Sequence, residues 1–592
     1  MALEPELVHS VSLAAQRLES AAYGISLTNN PAQGLEDNYN EQAAALMALL
    51  GLTADKISFN NIGINAAVMT LLSKARQTVA VDDYFRPDLG DINYTQAFDR
   101  AQAALLVRGG GEVLCPNSQT YEADRITLQN NCVIVGRGIG STELKQRAGV
   151  NQDFIISANF HDVVNTGVSA ITDARVPYWF GLSRLRVNGN KYVVGTNPLG
   201  NTSGRALCAY GPAMVFREVM VTGSAEDGIF TQYTDTPNAS DWRGQEEAQF
   251  DNVTVRDSGG HGWLFQGPHN SKMNGITCGF NGLWGFRSET APGYGGGIDW
   301  VGSIHTYANG RATSPAQDTG CYFGEIVRAG TVVTDGDNLV IAGSNCQIGS
   351  WRCYNMGGQT SSIISGGGNS IGSINGNVWD LSVDQTAITI SGALNQIGTV
   401  QLTSNNPSND GIVITGNSNK ILAAFITGFS NAGKKGLWIN GGSKNHVVAE
   451  VAGCATAFHY TAGTNNFADI ECTTSAGQLA VAGSLPGVTD RFNIRSSGTV
   501  AGGTQSALQT ATFPMDITTV QSFTVAHGLL YTPARNQVAL TLLASVPVAA
   551  DFAVDYMQVA SCDATNVVVT FKLGTAAAAG ALARIGIVCD VG

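Results

Sequence analysis

One short pattern returns along the chain at near-constant spacing: a glycine, two variable residues, an asparagine, then a β-prone run. It stands at Gly366 (GGGNSIGSI), Gly392 (GALNQIGTV), Gly416 (GNSNKILAAFI), Gly442 (GSKNHVVAEV) and Gly463 (GTNNFADIEC). Gly343 (GSNCQIGSW) fits the same frame with Cys346 in place of the asparagine. Successive glycines lie 23, 26, 24, 26 and 21 residues apart. A unit of that length cannot bury its own apolar face and gains a core only by stacking on its neighbours. The period fits one coil of a parallel β-helix, three short strands joined by turns. An asparagine at the same turn of each coil tolerates left-handed backbone and can bond to the coils above and below. A second recurring pattern, polar-Gly-apolar, aligns Asp227-Gly228-Ile229, His261-Gly262-Trp263 and Asn281-Gly282-Leu283, with Asp410 and Lys435 heading further copies. That phase predicts Asp227 and Asn281 on either side of His261 in adjacent coils.

Composition agrees with stacked β-structure. Glycine supplies 71 of 592 residues without a collagen period, charged residues are 13%, and hydrophobic residues are 44%, too many for disorder. The net charge of −13 argues against nucleic acid or an acidic membrane as partner. No run of 18 or more apolar residues suggests membrane insertion, and the N-terminus has no signal-peptide pattern. The 11 cysteines show no CxxC pair and no zinc spacing, so they are expected as reduced, buried thiols, with no metal or cofactor.

Three domains are expected. Residues 1–80 read as a helical attachment or capping segment, from NEQAAALMALLGL and NAAVMTLLSKARQTV. Residues 81–495 read as the β-helix, opening with an amphipathic helix, TQAFDRAQAALLVR, capped by Thr95 and stopped by Gly109, Gly110 and Gly111. Residues 496–592 read as a linker and a small antiparallel β-sandwich, with His527 a structural turn residue.

The stretch from Asp82 to Gly140, with its Asp pair, short helix, Gly-rich turn and the strands GEVLCPNSQTY and NNCVIVGRGIGST, resembles the start of pectate-lyase-like right-handed parallel β-helices. It departs from them in having VDDYFRPDLGD where a compact DFGA form is usual. Over residues 82–495 the chain looks like a bacteriophage tailspike or tail-fibre depolymerase, and VAHGLLYTPA (Val525 to Ala534) is similar to a motif of C-terminal phage-fibre domains. The resemblance implies a homotrimer on the virion's tail, attached to tail or baseplate proteins through its N-terminus and acting on bacterial surface polysaccharide, capsule or O-antigen. An elongated solenoid with exposed apolar flanks also gains stability by association.

Residues 225–325 are densest in carboxylates and aromatics and contain two insertions, YTDTPNASDWRGQEEAQ and RSETAPGYGGGIDWVGSIHTYANG. Long loops on a regular solenoid tend to build its binding face. Glycoside hydrolysis needs one carboxylic acid and one carboxylate, ~5–5.5 Å apart for retention or ~6.5–9.5 Å for inversion, separations that suit equivalent positions one or two coils apart. The catalytic candidates are Asp227, Glu289 and Asp299, with Glu226 in reserve; Glu289 is expected as acid and Asp227 or Asp299 as base. The substrate-binding candidates are His261, Trp242, Trp263, Trp284, Trp300, Arg243, Arg287 and Tyr294. A polysaccharide lyase is the alternative enzyme, with an arginine such as Arg243, Arg287 or Arg311 neutralising a uronate. A non-enzymatic glycan-binding receptor fibre is the alternative without chemistry.

Overall fold

The computed structural model describes residues 77–166, 175–233, 248–289 except 269, 297–312, 319–358, 361–381, 385–405 and 408–473, together with strands at 58–59 and 69–70 and between 479 and 589. The chain divides into two compact units, Met1–Val79 and Ala80–Gly592. In the first, Ser58–Phe59 pairs antiparallel with Met69–Thr70. That strand lies inside a stretch expected to be helical, where Val68 and Thr70 bring β-branched side chains. The other expected helix of this segment falls outside the described residues.

In the second unit the first helix is Thr95–Leu106. Thr95 does not cap it: Asn93 Oδ1 accepts the Thr95 N–H at 2.9 Å, and the Thr95 hydroxyl instead accepts the Asp124 N–H at 2.8 Å. The three glycines that stop the helix all take positive φ, and a Cβ on Gly110 would lie 2.3 Å from the Asn131 carbonyl oxygen. Asp82, from the Asp pair, accepts the hydroxyls of Tyr94 and Tyr121, each at 3.1 Å, and fixes this end of the chain.

Beyond the helix the chain winds as a right-handed parallel β-helix. A short-strand sheet of 14 parallel strands runs from Ile126–Leu128 to Leu479–Gly483 and includes Ile229–Gln232, Trp263–Gln266, Phe286–Ser288 and Thr319–Phe323. A long-strand sheet includes Gly181–Asn188, Val215–Thr222, Gln249–Arg256, Lys272–Gly279 and Gly297–Tyr307, also parallel. Its register superposes Leu182, Phe216, Phe250 and Met273, all buried. The short-strand register superposes Leu207, Ile229, Trp263 and Phe286, also buried, so the core is a set of columns running through the coils.

In four successive coils the third expected strand is hidden in the long one. Arg184, Glu218, Asn252 and Gly275, mid-strand in four successive coils, have φ of 55, 52, 51 and 69°. One left-handed residue therefore bends each of these four long strands into two limbs. The first limb of Gly181–Asn188 pairs with Cys132–Val135 and the second with Glu143–Gln146, which are separate strands in the coil below.

The asparagine column forms the predicted ladder. Cys346 N–H donates to Asn369 Oδ1 at 2.7 Å, Asn369 N–H to Asn395 Oδ1 at 3.0 Å, Asn395 N–H to Asn419 Oδ1 at 3.0 Å, Asn419 N–H to Asn445 Oδ1 at 2.9 Å, and Asn445 N–H to Asn466 Oδ1 at 3.0 Å. The left-handed position is the preceding residue, Gly368, Leu394, Ser418, Lys444 or Asn465, not the asparagine. The asparagine is there for its amide. Nine cysteines of the coils are buried free thiols.

Toward the C-terminus, Ala507–Pro514 and Val538–Val546 flank Leu582–Cys589 in one antiparallel sheet, and Gln521–Ala526 and Val554–Cys562 flank Asn566–Leu573 in another. Two three-stranded antiparallel sheets are what the small β-sandwich requires. His527 falls outside the described residues.

Candidate functional site

The short-strand sheet positions most of the residues singled out in the sequence. Its alternation turns Trp263 and Phe265 inward and Leu264 and Gln266 outward, and in the next coil Phe286 and Ser288 inward, Arg287 and Glu289 outward. Trp263 is fully buried and its indole N–H donates to the Thr231 hydroxyl at 3.1 Å, so it is a core residue and not a sugar platform.

Asp227 and His261 are coil-equivalent, as the pattern predicted: Asp227 Oδ1 accepts the His261 N–H at 2.7 Å, and Ile229 pairs with Trp263. The third member is different. Trp263 pairs with Phe286, so Trp284 and not Asn281 stands over His261, and the Trp284 N–H donates to His261 Nδ1 at 3.2 Å. Asn281 is three residues out of phase. It belongs to another ladder, accepting the Ser258 N–H and donating its own N–H to Asn309 Oδ1, each at 3.1 Å.

Because His261 Nδ1 accepts a backbone proton, the imidazole is neutral with its hydrogen on Nε2. Burial and then the Arg287 guanidinium push it down to about 4, against the opposing pull of Glu289. Burial pushes the Asp227 carboxyl up; the His261 N–H and Arg205 oppose that, while Glu226 and Asp153 add to it. Glu226 itself is exposed. Asp153 and Arg205, not singled out in the sequence, form a two-pronged pair beside Asp227, Nε to Oδ1 at 3.2 Å and Nη2 to Oδ2 at 3.0 Å. Burial alone would raise Asp153, but this pairing outweighs it and holds the carboxyl low. The same guanidinium lies over the Phe160 and Phe230 rings, at 5.4 and 4.8 Å.

Glu289 lies at the other end of the strands. Its Oε1 accepts the Gln266 side-chain amide at 3.0 Å, and its Oε2 accepts Arg287 Nε at 2.6 Å. Arg287 in turn lies over the Tyr322 ring, 4.9 Å from the centroid, and Tyr322 packs against Trp284 at 5.3 Å. Carboxylate, guanidinium and two rings thus share one outward patch across two coils. Asp227 and Glu289 are not coil-equivalent: the position below Glu289 is Gln266, and Asp227 precedes its strand whereas Glu289 follows one. The separations expected for stacked carboxylates therefore do not apply to this pair.

Asp299 lies in Gly297–Tyr307, the next strand of the same coil as Glu289, and both fall within the second insertion. Trp300 is 55% exposed on that strand and pairs with Lys272. The first insertion falls at the equivalent turn two coils earlier, between Ile229–Gln232 and Gln249–Arg256. The floor between the two turns presents Lys272 and, held by Asn274 at 2.9 Å, Asp251, an outward carboxylate that strand alternation could have flagged. Trp242, Arg243, Tyr294 and the Asp299 side chain lie outside the described residues. Among the described residues no group of His, Cys, Asp and Glu could hold a metal ion, and no helix is long and apolar enough to cross a membrane.

No family model and no curated protein matches the chain. Among solved structures, it is similar to the tailspike protein of E. coli bacteriophage HK620 in complex with pentasaccharide, at 9% identity and a TM-score of 0.47 over 90% of this chain and 98% of that one. A double mutant of the same tailspike, also with pentasaccharide, gives 9% identity and 0.48 over 92% and 100%. The stacked coils of parallel strands are shown by this chain's own strand pairing.

Proposed function

We propose that the chain is a phage tailspike depolymerase that binds bacterial surface polysaccharide, capsule or O-antigen, and hydrolyses its glycosidic bonds. The observation that carries this is the Glu289 patch: a carboxylate fixed outward by Gln266 and Arg287, beside Trp284 and Tyr322, at the root of an insertion. Rings offer faces to sugar C–H groups, and a rigid sheet holds the carboxylate without reorganisation.

Both Glu289 oxygens already accept N–H groups, which suits an ionised base or nucleophile better than the acid first expected of it. The acid falls to Asp299, across the same insertion. Asp227, half-buried and bonded to the His261 backbone, serves the fold. Trimerisation, attachment to the tail through the N-terminus and action at the bacterial surface belong to the same proposal.

The test follows reducing ends and the ultraviolet absorbance of unsaturated uronates on capsular and O-antigen polysaccharides. Glu289→Gln and Asp299→Asn should each lower the release of reducing ends by about 100-fold or more while binding persists. Full cleavage by both variants refutes the site, and absorbance rising with the reducing ends makes the enzyme a lyase. A second reading is a glycan-binding fibre without chemistry. It is favoured by the failure of Asp227 and Glu289 to stack, and binding with neither signal establishes it.

A further inference from the structure

A groove of about 850 Å³ opens at the opposite corner of the coil, where the long strands end and the chain turns toward the short ones. Lys145, Lys191, Tyr192, Phe280 and Arg311 are among its lining residues, with Asp257 the carboxylate that faces them. The Phe280 ring is clasped by two guanidinium groups, Arg256 at 5.1 Å and Arg311 at 4.2 Å from its centroid. Lys191 Nζ donates to the Asp257 carbonyl oxygen at 3.2 Å, and Arg311 Nε to the Ala308 carbonyl oxygen at 3.1 Å. Among the described residues no carboxylate lies within 4 Å of Lys145, Lys191, Arg256 or Arg311. Three cations thus line one groove, with Arg256 against its Phe280 ring and no salt bridge to any of the four among the described residues, in a chain whose net charge is −13. Tyr192, 40% exposed, and Val193, 43% exposed, supply an apolar rim.

We propose that this groove binds an anionic sugar unit of a polysaccharide, its carboxylate or phosphate taken by Lys145, Lys191 and Arg311 and its C–H face laid against Tyr192. Guanidinium and ammonium groups already held by rings and carbonyl oxygens need little reordering to meet an anion, and desolvation at the groove strengthens the contact. Phe280 is the positioning residue: it holds Arg256 and Arg311. That the anion is carried on a saccharide rests on the polysaccharide reading above; the anion recognition does not.

The experiment is calorimetric titration of the full chain with trigalacturonate, glucose 6-phosphate and neutral maltotriose, at two salt concentrations. At least one anionic probe should bind, more weakly at the higher salt, and maltotriose should bind at least tenfold more weakly. Arg311→Gln and Lys191→Gln should each weaken the anionic probe by about tenfold. Should either variant fail to fold, Lys145→Gln, at a half-buried position of the groove, decides by the same criterion. Equal affinity for maltotriose, unchanged affinity in the folded variants, or no binding of either anionic probe overturns the proposal. Glu289→Gln keeps the two readings apart, since it should abolish cleavage and leave the anionic titration unchanged.

Discussion

Asp227 and His261 touch, and burial favours the neutral form of each, so their contributions to stability run in opposite directions with pH. The folded value of His261, about 4, lies below its ordinary 6.5. Its contribution to stability is therefore whole above about 6.5 and drains away as pH falls toward about 4, because the unfolded chain takes the proton first. Asp227 is raised, so its contribution is present in acid and lost as pH rises through its folded value. In urea titrations across that range, His261→Gln should flatten the loss of stability on the acid side, while Asp227→Asn should flatten a loss that runs with rising pH. A His261→Gln protein with the parental slope would mean that the imidazole is hydrated in the native state. The pairing of these two residues was legible because polar-Gly-apolar marks the turn into a short strand. The third partner was not, because NGLWGFR contains that turn twice, at Gly282 and at Gly285, and polarity favoured the wrong one. Coil length would have decided it: Trp284 follows His261 by 23 residues, Asn281 by only 20.

Within a coil the repeated turn sets two demands that one motif answers. Gly366, Gly392 and Gly416 lie so close that a Cβ on Gly392 would stand 1.9 Å from the Gly366 carbonyl oxygen, and one on Gly416 1.9 Å from that of Gly392. Asn419 Oδ1 accepts both the Asn395 N–H and side-chain amide at 3.0 Å, and its own amide reaches the Gly392 carbonyl oxygen at 2.9 Å. Asn419→Ala leaves buried donors and a carbonyl without partners, and should cost roughly 2–4 kcal/mol in denaturant unfolding. Gly392→Ala should cost about 1–3 kcal/mol by forcing two coils apart. Costs under about 0.5 kcal/mol for both would show that the column tolerates relaxation. The motif was visible in the sequence because every coil needs both residues at one place. The bend inside four of the long strands was not visible, because Arg184, Glu218 and Asn252 share a backbone angle and no side-chain chemistry. The outward patch was half visible: the composition of residues 225–325 marked the region, but only the register shows that Glu289 sits beside Gln266 rather than above Asp227.

Along the solenoid the strands pair coil by coil, so stability is approximately a sum of nearest-neighbour terms rather than the property of one central core. The long strands pair in unbroken succession from Gly181–Asn188 to Arg491–Ser496, each with the strand of the next coil. Damage should therefore spread along the axis and fade. In hydrogen exchange on the full chain, Gly392→Ala should raise exchange most in Ser362–Ile364, Ser370–Leu381, Gln396–Ser404 and Lys420–Thr427, which flank the altered turn. Gly181–Asn188 and Val215–Thr222, many coils away, should keep their parental protection. A uniform rise across the ladder would mean that the solenoid opens as a single cooperative unit. The same locality bears on function. If it holds, the Glu289 patch and the basic groove, which share coils but face different corners, can each be altered while the coils beyond them keep their structure.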